Sequence, residues 1–271
     1  MALNGTRPSG DLLRKSTGFP GEGNRPPLEN AVLRFAEPQA GGSSGVRKAQ
    51  SNKKARLSES APNWSDGKME VYLVRHGETD WNAQGRLQGR EDIPLNEVGI
   101  AQAEACGEAL QYLELNGIYS SPLSRARDTA IEISRYHDGR VYLAEAITER
   151  DYGKLTGFTA EQRQRWQAKG LPDKAEPWRD LARRAMNAME YFAGQAGEQG
   201  RVVVVSHGAW INAVLAVVSK HEIGTGKTKL KNGGISVLRH QEETGWQIVC
   251  HNLSAQEYLA WAGGGDDLAA Q

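Results

Sequence analysis

From Met69 onward the sequence predicts one three-layer α/β/α domain built on a mostly parallel central sheet. Three observations carry the prediction. Apolar runs of strand length alternate with stretches of helical period across residues 69–258. The plainest strand, "RVVVVSHG", leads directly into the apolar helix "AWINAVLAVVSK". A hairpin signal, "EETG" between "GISVLRHQ" and "WQIVCHN", comes last, where it adds strands at a sheet edge. Parallel strands need crossover connections, and the crossover helices cover both faces of the sheet.

The elements follow in order. "MEVYLVRH" reads as a buried strand, and "NEVGIAQAEACGEALQYLE" as a helix with Ile100, Ala103, Ala109 and Leu110 on its apolar side. "NGIYSS" is a short strand and "SRARDTAIEISRYH" the helix after it. "GRVYLAEA" is another strand. Residues 159 to 196 are mostly helical, with the irregular "KGLPDKAEP" joining two helices. Trp210 and Trp246 read as core.

Composition bounds the function. Lys plus Arg and Asp plus Glu number 33 each, so net charge points to neither nucleic acid nor membrane as a partner. The balance conceals an asymmetry, because residues 1–68 hold eleven basic against six acidic side chains. That Gly-, Pro- and Ser-rich segment cannot bury enough apolar area to offset chain entropy, and is expected to be a disordered basic tail. Within it "LENAVLRFA" reads as a transient helix. The Arg and Ser content hints at a transit peptide, against which the acidic residues argue. Met69, directly before the first strand, raises the alternative of upstream sequence joined by a misplaced start. Residues 259–271 are expected to form a flexible C-terminal tail. Cys106 and Cys250 lack a C-x-x-C pairing and read as buried, inert thiols. No apolar stretch approaches a membrane span and the first residues lack the apolar core of a secretory signal, so the expectation is a cytoplasmic protein. Composition leaves its oligomeric state open.

In open parallel sheets, ligands collect outside the carboxyl ends of the strands. His76 ends the first strand and His207 ends "RVVVVS", and each is followed by a glycine, Gly77 and Gly208. There the backbone can approach a ligand, and the N–H groups of the next helix favour an anion. Either histidine alone is more often structural; two in matching contexts point to a site. Arg75 adjoins His76, and Arg125 opens the helix after "YSSPLS". A guanidinium fork matches a phosphate bidentately and stays charged at any working pH. Taken alone, Arg125 would be as ordinary as Arg127. Glu149, in "AITERDYGKLTG", follows the strand "RVYLAEA", so a carboxylic acid reaches the same edge, where it can protonate a leaving oxygen.

"VRHGETDWN", "RLQGREDIPLNEVGIAQA", "YSSPLSRARDTA", "TERDYGKLTG" and "VVSHGAWI" resemble, in this order, the motifs of the histidine phosphatase superfamily, which includes phosphoglycerate mutase. The resemblance spans nearly all of residues 69–258, and "NGGISVL" agrees with it. It implies a phosphoglycerate mutase-like fold, with His76 as the nucleophile that becomes phosphorylated and Arg75, Arg125 and His207 gripping the phosphoryl oxygens. It makes Glu149 the proton donor. Asn82, Gln88 and Gly89 match positions lining the phosphate and substrate pocket, Tyr152 matches a residue near the substrate, and Gly208 belongs to the "SHG" turn of that pocket. The implied activity is metal-independent hydrolysis of a small phosphorylated metabolite through a phosphohistidine, without a cofactor. His76 must then offer one ring nitrogen while the other is held, and a backbone carbonyl near Gly77 is the expected partner.

Rival readings are weaker. A zinc site would not gather arginines, and no H-x-H or H-x-x-x-H pair exists. "GTGKT" at 224–228 imitates a phosphate-binding loop, but His221 stands where its first glycine belongs, and Lys227 or Lys229 reaching substrate is a minor alternative. A phosphoglycerate mutase would carry a Lys where Ala160 stands and a longer insertion than the 57 residues between Glu149 and His207. The paired arginines in "ARRAMN" fall on a helix. A catalytically inactive phospho-ligand binder would not need every catalytic residue type present. Beyond the phosphate, Trp166, Leu171, Pro172 and Trp178 are expected to shape the pocket.

Overall fold

The computed structural model describes residues 69–263, apart from 139 and 198, and the backbone of residues 35 and 36. These belong to a unit spanning Leu33–Gln271; a second unit, Met1–Val32, lies outside the described residues. The strands are β1 (Phe35–Ala36), β2 (Met69–Arg75), β3 (Gly117–Ser120), β4 (Val141–Ala144), β5 (Arg201–Ser206), β6 (Ile235–Gln241) and β7 (Gly245–Leu253). They form one sheet in the order β1-β4-β3-β5-β2-β6-β7. Strands β4, β3, β5 and β2 run parallel, and the β6–β7 hairpin adds antiparallel to β2, as the sequence predicts.

Alternation along β2 and β5 explains the layers. Val71, Leu73, Val202 and Val204 face one side, packed with Leu181, Met189 and Phe192 of helix α5 (Trp178–Ala196) and Trp210, Ile211 and Val214 of α6 (Gly208–Val218). Tyr72, Val74, Val203 and Val205 face the other, packed with residues of α2 (Glu97–Leu110), α3 (Ser124–Ser134) and α7 (Ala255–Ala262). A strand buried on both faces has no polar side to alternate with, hence the unbroken "VVVV". Shorter helices α1 (Asp80–Ala83) and α4 (Ala160–Ala168) lie on the connections. Local chemistry fixes the ends: Asn96 caps α2 through Gly99 N, and capping boxes start α4 at Thr159 and α7 at Ser254. Among the described residues no helix is long and apolar enough to cross a membrane.

Several expectations change. The buried stripe of α2 is Gly99, Ala103, Cys106, Gly107, Ala109 and Leu110, while Ile100 stands 45% exposed at its flank. Small residues, not Ile100, let α2 come close to its neighbours. Helix α7 passes the boundary at 258, because the Ser254 and Glu257 capping box starts it and Tyr258 packs edge-on against Tyr72. Phe35–Ala36, at the end of the segment read as a transient helix, pairs antiparallel with β4. The rest of the expected tail, residues 1–34 and 37–68, lies outside the described residues, as do 264–271 of the C-terminal tail. Cys106 and Cys250 are free and buried, as read. Trp210 is core, whereas Trp246 is only partly buried against the same cluster, with its Nε1 donating to Glu190.

At the amino end of β2 the buried Glu70 accepts from Arg201 on β5, Arg239 on β6 and the hydroxyl of Tyr72. A buried carboxylate is tolerated only with such partners. Glu70 thereby ties β2 to both neighbours at the end of the sheet away from the histidines.

Candidate active site

The four parallel strands deliver their following residues to one edge: His76 after β2, Glu149 beyond β4, His207 after β5, and Arg125 at the start of α3 behind β3. His76 Nδ1 lies 2.6 Å from the carbonyl oxygen of Gly77. A carbonyl only accepts, so Nδ1 carries the ring proton and Nε2 keeps its lone pair. This is the arrangement expected from the sequence. The main chain of His76 is held in turn: its N–H donates to Ser206 O at 3.0 Å, and its carbonyl accepts from Asn232 Nδ2 at 3.1 Å. Gly77 N donates to Thr129 Oγ1.

The turn fits only because two glycines interlock. A Cβ on Gly77 would stand 2.2 Å from the carbonyl oxygen of Gly99, and one on Gly99 would stand 2.0 Å from that of Glu78. Backbone on both sides leaves nothing flexible to yield. Gly99→Ala is therefore expected to cost about 1–3 kcal/mol of stability and to displace the His76 turn. Denaturant unfolding and activity measured together check it; a variant unchanged in both would refute the interlock.

Both imidazoles are buried, with ring centroids 5.1 Å apart. Burial, followed by the positive charges of Arg125 and Arg75, holds His76 well below the usual histidine range. Burial and Arg125 do the same to His207, with His76, Arg75 and Arg184 adding to it. Near neutral pH this direction favours the uncharged imidazole for both. The unfolded histidines take up protons near pH 6.5 while the folded ones resist, so stability is full above about pH 6.5 and lost on acidification below it. Chemical denaturation across pH 5 to 7 is expected to show a steeper acid loss in the wild-type chain than in His207→Gln.

Arg125 is fully buried; Nη1 donates to Glu91 O at 2.7 Å and Nη2 to Gly89 O at 2.8 Å. It thus moulds the loop 88–92 while its Nε remains unpartnered. Arg75 donates through Nη1 to Leu230 O and likewise leaves Nε without a partner. Both ring nitrogens of His207 and Oε1 of the buried Gln88 are unpartnered as well. Buried polar groups are ordinarily satisfied. The Nε–H groups of Arg75 and Arg125 are donors that an oxyanion would satisfy, whereas Gln88 Oε1 can only accept. Gly208 lies against Arg75, where a Cβ would stand 3.5 Å from Nε.

The amino end of α6 is occupied differently from expectation. Its Ala209 and Trp210 N–H groups donate to the Glu149 carboxylate at 3.2 and 3.3 Å, and Arg150 N donates to it at 2.8 Å. The group seated on the helix terminus is thus the carboxyl of Glu149.

The remaining expected residues sit around this centre. Gly89 has φ +56 and carries the carbonyl that Arg125 holds; a Cβ there would meet the Tyr152 ring at 3.3 Å. Burial raises the Tyr152 hydroxyl well above the usual phenol range, and the Arg150 guanidinium lies 5.6 Å over its ring. Asn82 is placed as the N3 partner of Thr79 in the capping box of α1, and its Oδ1 also accepts from Asn232. Trp166 packs on Phe158 and donates to Leu171 O, whereas Trp178 turns to Thr225 and His221. Lys227 donates to His221 O, and the Gly224 N–H is taken by Thr228 Oγ1, so the "GTGKT" turn closes on itself. Among the described residues no group of three or more His, Cys, Asp or Glu is placed to hold a metal ion.

Sequence reasoning missed Arg184, Asn232 and Leu230. The first sits on a helix as one of two adjacent arginines, and the other two contribute through amide and carbonyl groups in a loop. No spacing ties any of them to the strand ends.

Comparison with known proteins agrees with this geometry. A family model described as histidine phosphatase superfamily (branch 1) matches residues 71–254. The chain is 36% identical to an uncharacterized phosphatase PhoE of Bacillus subtilis over 185 residues, 68% of this chain and 95% of that protein. It is 33% identical to a metal-independent phosphoserine phosphatase of Arabidopsis thaliana over 216 residues, 73% of this chain and 88% of that one. Among solved structures, a mutant phosphoserine phosphatase from Entamoeba histolytica in complex with phosphoserine superposes with TM-score 0.60 at 29% identity, covering 70% of this chain and 98% of that one.

Proposed function

The chain belongs to the histidine phosphatase superfamily, and on that premise we propose that it is a metal-independent phosphomonoesterase that hydrolyses a small phosphorylated metabolite through a phosphohistidine at His76. One observation carries the reading: the bond from His76 Nδ1 to Gly77 O leaves Nε2 unprotonated, while Arg75 and Arg125, whose charges act on this imidazole, each keep a buried Nε without a partner.

The chemistry runs in two balanced steps. His76 Nε2 attacks phosphorus in line with the ester oxygen; the N–P bond forms as the P–O bond breaks, and Glu149 passes a proton to the departing alcohol. Arg75 and Arg125 stabilise the charge on the equatorial oxygens, and His207 donates to them once the anion's charge favours its protonation. Water then attacks phosphorus, Glu149 takes its proton, the P–N bond breaks, and inorganic phosphate leaves with His76 restored. Guanidinium groups supply the positive charge that a metal ion supplies in other phosphoryl transfers.

The mutase alternative meets an obstacle in the paired arginines. Arg184 is consumed by Glu176 and backbone carbonyls, and Arg183 is an exposed partner of Asp180, so neither is free to grip a second anionic group of a substrate. The phosphoserine named for two of the relatives makes small alkyl phosphates the first substrates to try. The test is a panel of phosphomonoesters, 3-phosphoglycerate included, assayed in EDTA. The reading expects phosphate release undiminished by EDTA. Loss of activity on chelation, or isomerisation of 3-phosphoglycerate faster than hydrolysis, would overturn it.

A further inference from the structure

We infer that Arg184, clamped by Glu176, is a positioning residue that fixes where the Glu149 carboxylate stands relative to His76. The inference rests on the reading of Glu149 as the proton donor.

Beyond β4 the chain leaves the sheet through a 3-10 turn over Glu145–Ile147, so its carbonyls lose their ladder partners. Side chains take over. Ala146 O accepts from Trp210 Nε1 at 3.0 Å and from Arg184 Nη1 at 3.0 Å; Ile147 O accepts from Ser206 Oγ at 2.7 Å. Thr148 O accepts from Arg184 Nη1 at 2.6 Å, and Glu149 O from Nη2 at 3.1 Å. The fork is aimed by Glu176, whose carboxylate receives Nε at 2.7 Å and Nη2 at 2.9 Å. All five N–H donors of a guanidinium thus have an acceptor, a set no lysine can reproduce.

Glu176 also holds the residues after Glu149. Its N–H donates to Asp151 O at 2.8 Å, its carbonyl accepts from Arg150 Nε at 2.8 Å, and its carboxylate accepts from Asp151 N at 3.4 Å. The pair therefore brackets Glu149, with Arg184 on 146–149 and Glu176 on 150–151. The carboxylate itself is bound to the start of α6, directly after His207. Without the bracket it keeps its helix partners while its backbone drifts, and a displacement of about 1 Å costs about 10²-fold in rate.

The test separates positioning from folding by leaving group. A p-nitrophenolate departs without a proton and an alkoxide does not, so kcat/KM is compared for p-nitrophenyl phosphate and for the best alkyl phosphomonoester of the panel. Glu149→Gln is expected to lower the alkyl ester by about 10²- to 10⁴-fold and the aryl ester far less. Arg184→Met should show the same selective loss, about 10²-fold, and should add almost nothing in the Glu149→Gln background. Glu176→Gln, which retains Arg184 and its packing, should show the same selectivity at smaller amplitude and carries the test if Arg184→Met does not fold. Equal losses on both esters, no loss on either, or losses that multiply with Glu149→Gln would overturn the inference while leaving the proton donor intact. A Glu149→Gln variant indifferent to the leaving group would instead remove the reading beneath it, and the inference with it.

Discussion

Replacing His76 by alanine is expected to lower kcat/KM for every phosphomonoester the chain accepts by about 10⁴- to 10⁶-fold. The size of the effect follows from geometry. Nε2 is the one imidazole nitrogen freed for attack by a defined bond on its partner, 2.6 Å from Gly77 O, and burial with two flanking guanidiniums keeps it unprotonated. The variant loses the covalent path and retains the anion cavity of Arg75, Arg125 and His207, so it should still bind inorganic phosphate. Steady-state kinetics with phosphate titration calorimetry checks both halves. Activity within tenfold of wild type would remove His76 as nucleophile; lost phosphate binding with a lost fold would show that the turn is structural.

Arg125→Met is expected to produce the second largest loss, about 10³-fold in kcat/KM, for two separable reasons. The guanidinium supplies the Nε left without a partner beside the histidines, and its other two nitrogens hold Gly89 O and Glu91 O. Truncation strands those two carbonyls, at about 1–3 kcal/mol for each that is not rehydrated, and loosens the loop that carries Gln88 and Gly89. It also removes a charge that depresses both imidazoles, so the acid limb of the pH–rate profile should move to higher pH. Arg125→Lys should restore part of the charge effect and little of the loop. A kinetic loss with an unmoved acid limb would mean that Arg125 acts through the loop alone.

What was legible in the sequence was whatever sits at a strand end. Arg75, His76, Glu149 and His207 each follow a run of apolar residues long enough to be recognised, and the carboxyl edge of a parallel sheet gathers such positions without further information. The hydrogen bond to Gly77 O was legible for the same reason, since a nucleophilic imidazole needs one nitrogen held and its neighbouring backbone is the nearest acceptor. Arg184 was not. Its task is set by the carbonyls of 146–149, which need side-chain partners only because the chain leaves the sheet at Ala144, and a helix register 35 residues downstream of Glu149 says nothing about that. The tenant of the α6 terminus was misread for a related reason: a helix start attracts anions, but sequence does not reveal that Glu149 arrives there first. Ile100 misled because helical periodicity counts apolarity, whereas α2 approaches the His76 turn through Gly99, where absence of a side chain is the requirement.

The covalent step is the central claim, and acid- and alkali-quenched labelling tests it most directly. The wild-type chain, mixed with a phosphomonoester carrying radiolabelled phosphate and stopped in its first turnover, should hold label that survives alkali, is lost in acid, and maps to the peptide containing His76. His76→Ala should hold none. Wild-type turnover with no trapped label at any time, or label of the same character in His76→Ala, would contradict the phosphohistidine account.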